Sequence, residues 1–321
     1  EEILRTVVYM AHNRPMNVVL YCRILIAIAG LTLSFSIPLF RKKFVAHRSL
    51  VMLLTLHCGW NLMFSAFALI DTMITAYTYA TWKRPEDLAS FNDGRSCFHR
   101  KIYAIYAVYG TITSMYAITI ESASILYKTY ERSGYCLGYA LSFGQFILAS
   151  VFLTGTIRNF DLSETRVHCV VASKVDTKFQ RPLAITIFIF EIICLITFRA
   201  LLHLNKQRLI LHNHGLSEKY QIIENIRTLK LLVPVVASHI TLTSILAGSV
   251  AVLLSIHMEP QNKAIAEECL GFLHLQSIMV PLFILVRHWN NSEVRKELTR
   301  IIRLNSSARI SEQDRVIMKD W

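Results

Sequence analysis

Two acidic residues, Glu121 and Glu191, stand inside long apolar stretches of the chain, where a charged side chain is costly and is by default a functional candidate. Further polar groups share such stretches: His239 followed by Thr241 and Thr243, His274 with Gln276, and Tyr103, Tyr106 and Tyr109 at spacing three. That spacing sets the tyrosine rings along one side of a helix. A carboxylate, imidazoles, an amide and phenols can together hydrogen-bond a small molecule or balance a positive charge. Each also has a plainer use, since Glu191 can pair with a neighbouring helix and a tyrosine stripe can pack a core. His57 and Asn61, four apart on one helix face, are expected to join helices rather than to touch a ligand. Asp71 falls near the outer end of its stretch and is expected to reach water.

None of these groups forms a catalytic constellation. Membrane di-iron oxidases need several histidines at short helical spacing, because each metal takes multiple imidazoles. The 12 histidines here are scattered, and the tight pair His212-Asn213-His214 sits in a charged stretch that reads as solvated surface. G-x-S-x-G, H-E-x-x-H and a phosphate-cradling glycine loop are all missing from a sequence with 11 glycines. The residues imply no enzyme, no cofactor and no metal.

The elements that must position them are membrane helices. With 53% hydrophobic and only 17% charged residues in 321, the chain departs from the roughly 25% charge of soluble domains. Seven stretches approach the ~20 apolar residues that a span needs: 24–40, 50–74, 102–126, 137–157, 183–204, 229–256 and 270–286, the first able to begin at Asn17 and the last the shortest. The implied fold class is an all-α membrane protein, a seven-transmembrane helix bundle. It divides into an extracellular amino terminus (1–17), the seven-span domain (18–286) and a cytoplasmic tail (287–321). With the amino terminus outside, 20 of the 34 Lys and Arg lie on the inner side, the sense of the positive-inside rule. Charge sorted this way turns a net +12 into an inner surplus and a nearly balanced exterior, which speaks for the anionic inner leaflet as partner and against nucleic acid. The chain begins with Glu1 rather than Met, as a trimmed chain or a fragment would.

Topology also sorts the seven cysteines. Cys22, Cys58 and Cys194 fall in spans and are expected to be small buried residues, and Cys136 falls at the inner boundary of the fourth. Cys97, just before the third span, and Cys169, in the long outer loop, are expected to form a disulfide that pins the loop over the bundle mouth, leaving Cys269 over. The N-x-S sequons at Asn290 and Asn305 fall inside and should carry no glycan. At the inner ends, Glu121 with Tyr130, Glu131 and Arg132 on the third helix faces Glu224, Asn225 and Arg227 at the start of the sixth. Such ends can form an ionic lock that a ligand releases, or they can anchor at the interface by snorkelling. Pro234 and Pro281 can hinge the sixth and seventh helices. After Val286, residues Val294, Leu298, Ile301 and Ile302 make an apolar stripe on a basic segment, a short amphipathic eighth helix suited to the inner leaflet.

Together these features look like a G-protein-coupled receptor, and one run narrows the class. Leu216-Ser217-Glu218-Lys219-Tyr220-Gln221-Ile222-Ile223-Glu224-Asn225-Ile226-Arg227 resembles the L-S-x-[KR]-Y-Q-x-x-E-N-[IV]-R signature of the nematode serpentine receptors of the Sra superfamily, most closely class alpha/beta. The resemblance implies a chemosensory receptor, multi-pass in the plasma membrane of a sensory neuron and its cilium. It would bind an odorant or other small-molecule cue and activate a heterotrimeric G protein on the cytoplasmic face. Two departures bear on mechanism: Ser122 stands where related classes carry the arginine of Glu-Arg, and the seventh helix offers Ser277-Ile278-Met279-Val280-Pro281 in place of N-P-x-x-Y. The expected ligand pocket is Tyr103, Tyr106, Tyr109, Glu191, His239, Thr243, His274 and Gln276. A seven-span ligand-gated channel and a small-solute transporter are the competing readings. The channel predicts an inner amino terminus, and the transporter predicts broken helices with repeat symmetry.

Overall fold

The structure, a computed structural model, describes residues 2–40, 48–127, 134–158, 162, 177–211, 216–255, 262, 275–279, 281–283 and 285–286. Eight long or short helices follow one another among them: α1 (Glu2–His12), α2 (Arg14–Phe40), α3 (Arg48–Thr81), α4 (Pro85–Phe91), α5 (Gly94–Tyr127), α6 (Gly134–Ile157), α7 (Thr177–Leu211) and α8 (Leu216–Ser255). Residues 275–279, 281–283 and 285–286 are also helical and belong to the seventh apolar stretch. The segment expected to form the amphipathic eighth helix, 292–303, lies outside the described residues.

Five of these helices are long and apolar enough to cross a bilayer: Arg14–Ser36, Ser49–Thr81, Cys136–Ile157, Pro182–Leu209 and Asn225–Ile245. Their apolar residues do not all turn inward. Val18, Tyr21 and Leu25 on α2, Phe143 and Val151 on α6, and Ile185, Ile189 and Ile196 on α7 are exposed, as side chains facing lipid are. Inside, Leu53, Met115, Ile118, Phe198, Leu232 and Val236 close a core shared by α3, α5, α7 and α8. α5 packs against α3, α6 and α7 and is the central helix of the arrangement. Its hydroxyls fold back on their own helix, with Thr111, Thr113, Ser114 and Thr119 each donating to a carbonyl three or four residues earlier. A polar sequence is thereby made compatible with an apolar surround.

Close approaches fix the register of the bundle. A Cβ on Gly110 of α5 would collide with the indole of Trp60 on α3. One on Gly30 of α2 would meet Ser277 and Ser65, which sets the seventh stretch beside α2 and α3. α7 and α8 lie against each other. At 1.5 Å per residue, the 40 residues of α8 extend about 60 Å, twice the hydrocarbon thickness of about 30 Å. Pro234 lies inside this helix and Pro182 near the start of α7.

The end that carries the amino terminus is closed by elements the hydropathy pattern did not announce. α1 places Val7, Met10 and Ala11 against Met16 and Leu20 of α2, Tyr79 of α3 and Leu88 of α4. His12 meets Trp82 edge to face at 5.4 Å, and Asn13 Oδ1 accepts from the Met16 amide at 3.2 Å, capping α2. α2 accordingly begins at Arg14, earlier than Ile24 or Asn17.

Candidate functional site

The middle of the bundle is polar. On α3 and α5 the donor directions of one chain agree throughout: Asn61 Nδ2 donates to His57 Nε2 at 3.0 Å and to His57 O at 3.1 Å. The His57 Nδ1–H then donates to Ser114 Oγ at 2.5 Å, and the Ser114 proton goes to Thr111 O at 2.6 Å. His57 is fully buried, and this pattern uses its neutral Nδ1–H tautomer. The shared face of His57 and Asn61 thus ties α3 to α5.

A second group joins the other side. Glu191 on α7 and His239 on α8 are each 1% exposed, with Glu191 Oε1 2.8 Å from His239 Nε2. The Gln276 amide, 2% exposed, meets His239 Nδ1 from the seventh stretch. The contact of Glu191 with His239 is an ion-pair distance without in-line hydrogen-bond geometry, and neither carboxylate oxygen has a hydrogen-bond partner among the described residues. A buried carboxylate left in that state favours any partner that brings an N–H, an O–H or a positive charge. Tyr116 sends its hydroxyl to Ile187 O at 3.4 Å and sets its ring against Phe190 at 5.6 Å, which fastens α5 to α7 beside Glu191.

The tyrosine stripe goes elsewhere. Tyr103 is half exposed and stacks on Phe67 of α3 at 4.9 Å. Tyr106 bonds Ser150 at 3.3 Å, and Tyr109 bonds Thr156 at 2.6 Å, both on α6. Trp60 meets Tyr106 edge to face at 5.3 Å and donates to Gln145 Oε1 at 3.4 Å, so α3, α5 and α6 converge there. Thr243 uses its hydroxyl on His239 O at 2.9 Å, and His274 lies outside the described residues. Of the expected pocket, then, the structure brings together Glu191, His239 and Gln276, with Thr243 one turn beyond. Sequence reasoning missed Ser114 and Tyr116; the polar run Thr111-Ile112-Thr113-Ser114 in mid-helix was a signal for the first.

Asp71 requires a correction. It was expected to reach water, yet it is buried, 2.7 Å from Lys101 Nζ and 3.7 Å from Arg100 Nη1. The cause is that α5 starts at Gly94, so its first turns bring two cations across from α3. Arg100 also covers the Phe91 ring at 3.6 Å and donates to Phe91 O at 3.0 Å, which straps α4 to the bundle. Asp71→Asn is expected to destabilise the protein by about 1–3 kcal/mol, since a half-buried ammonium loses its carboxylate. Thermal unfolding in detergent measures it, and an unchanged midpoint would show that the cluster contributes nothing.

With seven apolar stretches, a polar interior tied across five of them and the long α8 in view, kinship can be placed. Residues 2–315 match the family described as serpentine type 7TM GPCR receptor class ab chemoreceptor. The chain belongs to that family. Serpentine receptor class alpha/beta-14 of Caenorhabditis elegans is 26% identical over 206 residues, covering 61% of this chain and 52% of that relative. The match therefore spans about half the length of that curated relative. The chain is a multi-pass membrane protein of a chemoreceptor family, and that family is one of receptors rather than enzymes.

In this class ab receptor the inner end is also partly visible. Glu121 is buried and accepts from Ser49 Oγ at the start of α3. Ser122 is buried beside it, Asn225 is half-buried and Arg227 is exposed. Tyr130, Glu131 and Arg132 lie outside the described residues, as does the side chain of Glu224. Pro234 lies two residues after Leu232 of the shared core, and Pro281 lies in the helical 281–283 segment. Cys97 is disulfide-bonded, while Cys22, Cys58, Cys136 and Cys194 are free. Cys169 and Cys269 lie outside the described residues. Cys58 and Cys194 are buried, but Cys22 turns to the exposed face of α2 beside Tyr21, contrary to its expected burial.

Proposed function

We propose that this protein is a G-protein-coupled chemoreceptor of the plasma membrane, with its amino terminus outside, whose small-molecule cue is sensed through Glu191, His239 and Gln276. The observation that carries the reading is the buried contact of these three residues, because it joins the fifth, sixth and seventh spans at one point. A molecule that satisfies the bare carboxylate of Glu191 competes with His239 for it. Binding and the packing of α7 against α8 are then one equilibrium, and a ligand shifts it by the difference in its affinity for the two arrangements. Thr243 and His274 complete the wall of the site in this reading, while Tyr103, Tyr106 and Tyr109, placed against α3 and α6, hold α5 in position beside it. A Cys97 to Cys169 bridge holds the outer loop over it.

On the cytoplasmic side, opening of α8 about Pro234 exposes a cleft for a G-protein helix. Glu121, Tyr130, Glu131 and Arg132 line one side of that cleft, and Glu224, Asn225 and Arg227 the other. Pro281 gives the seventh helix a second hinge. The long inner part of α8 and its exposed Arg227 support this assignment. Sensory neurons, and their cilia, are the cellular setting proposed from the chemoreceptor family.

A chemical-library screen with a G-protein readout in cells tests the reading. Gln276→Ala is expected to shift half-maximal response about tenfold at unchanged surface level, the effect of one lost buried hydrogen bond. Arg227→Glu is expected to abolish G-protein activation while leaving ligand binding intact. A G-protein response that is undiminished in Arg227→Glu removes that residue from the coupling surface, and a dose response untouched by Gln276→Ala removes the pocket.

A further inference from the structure

On the lipid-facing side of α6, away from the buried polar groups, Phe146, Ile147, Ser150, Val151, Thr154, Gly155 and Arg158 border a shallow, open groove of about 570 Å³ along one face of the helix. Its walls are unusual in how the polar atoms are used. Ser150 donates to Phe146 O at 2.7 Å and Thr154 to Ser150 O at 2.8 Å, so both hydroxyl protons are spent on the helix itself. What remains is an apolar trough, with Val151 57% and Ile147 52% exposed. At its end stands a guanidinium with no hydrogen bond or ion pair among the described residues.

We infer that this groove holds a phospholipid of the leaflet that meets the carboxyl end of α6, with one acyl chain along Phe146, Ile147 and Val151 and its phosphate on Arg158. Two physical matches select that occupant. From Phe146 to Arg158 the helix rises about 18 Å, close to the roughly 15 Å depth of one hydrocarbon leaflet. The cation therefore reaches headgroup level while the trough stays in hydrocarbon. A guanidinium presents five donors in a planar fork that fits a phosphate's oxygens, and it carries the charge that a phosphodiester complements. The occupant touches the helix contacts described above: Phe146 lies 4.9 Å from Trp60, and Ser150 holds the Tyr106 hydroxyl.

The test uses the full chain in phosphatidylcholine vesicles doped with a phosphatidylcholine that carries a diazirine on one acyl chain, followed by irradiation and peptide mapping. Label is expected to concentrate on residues 146–158, to fall about tenfold in Arg158→Gln and to persist in Arg158→Lys, since a charge-assisted bond to phosphate accounts for that factor. Val151→Trp, which fills the trough without touching the cation, is expected to displace the label as well. Label that is equal in Arg158→Gln, or spread evenly over the exposed faces of α2 and α7, overturns the site. Competition by millimolar inorganic phosphate would show an anion contact without a lipid and would overturn it too.

Discussion

Replacing either Glu191 or His239 alone with an apolar residue is expected to destabilise the receptor by about 3–5 kcal/mol, because each change leaves the other group buried without its partner. Replacing both, as Glu191→Met with His239→Leu, is expected to recover most of that loss, since well-packed apolar side chains of similar volume substitute for a buried pair. Recovery stays short of complete by about 1–3 kcal/mol, because the Gln276 amide loses the imidazole it bonds. The double variant should nevertheless remain silent to ligand. That separation is the purpose of the pair of measurements: thermal unfolding and surface level report the fold, and the dose response reports the site. Single variants as stable as the parent would show that the pair is not coupled. A responsive double variant would show that the cue is sensed elsewhere.

The second large effect is steric. Gly110→Ala is expected to cost about 1–3 kcal/mol, and Gly110→Val more, from overpacking at a contact that cannot relax. Trp60, which a new Cβ would strike, is held by Gln145 and by Tyr106 and Phe146 on two sides. Moving it would disturb α3, α5 and α6 together. Gly144→Ala is the matched control: nothing lies within 4 Å of an added Cβ there, and alanine is the better helix former. Folded yield after detergent extraction should fall for Gly110→Ala and hold or rise for Gly144→Ala. Equal yields would mean that α3 and α5 can separate at no cost.

What could be read from the sequence divides along a physical line. Long apolar runs announced α2, α3, α5, α6, α7 and α8, because burial in lipid needs only composition and length. Glu191, His239 and Gln276 stood out because polar groups in hydrocarbon are few, and the structure brings these three together. Their partners were harder to see. Tyr103, Tyr106 and Tyr109 share one flank of α5, yet spacing alone does not say whether that flank meets the interior, α3 or α6. Asp71 was misjudged since its burial depends on Arg100 and Lys101, brought near by folding rather than by sequence. α1 and α4, 11 and 7 residues long, are too short to carry the apolar run that marks a span.

The polar character of α5 has a consequence for how the receptor is made. α5 is less apolar than the five helices that stand out as spans by composition, and its carbonyl-bonded hydroxyls soften that deficit without removing it. A translocon that weighs each segment singly would take up α3 more readily than α5. The bonds from His57 to Ser114 and from Ser49 to Glu121 are available only when the two helices are side by side. Biogenesis of this chain is therefore expected to pass through α3 and α5 partitioning into lipid as a pair, with α5 waiting in the aqueous pore until its neighbour is there to receive it.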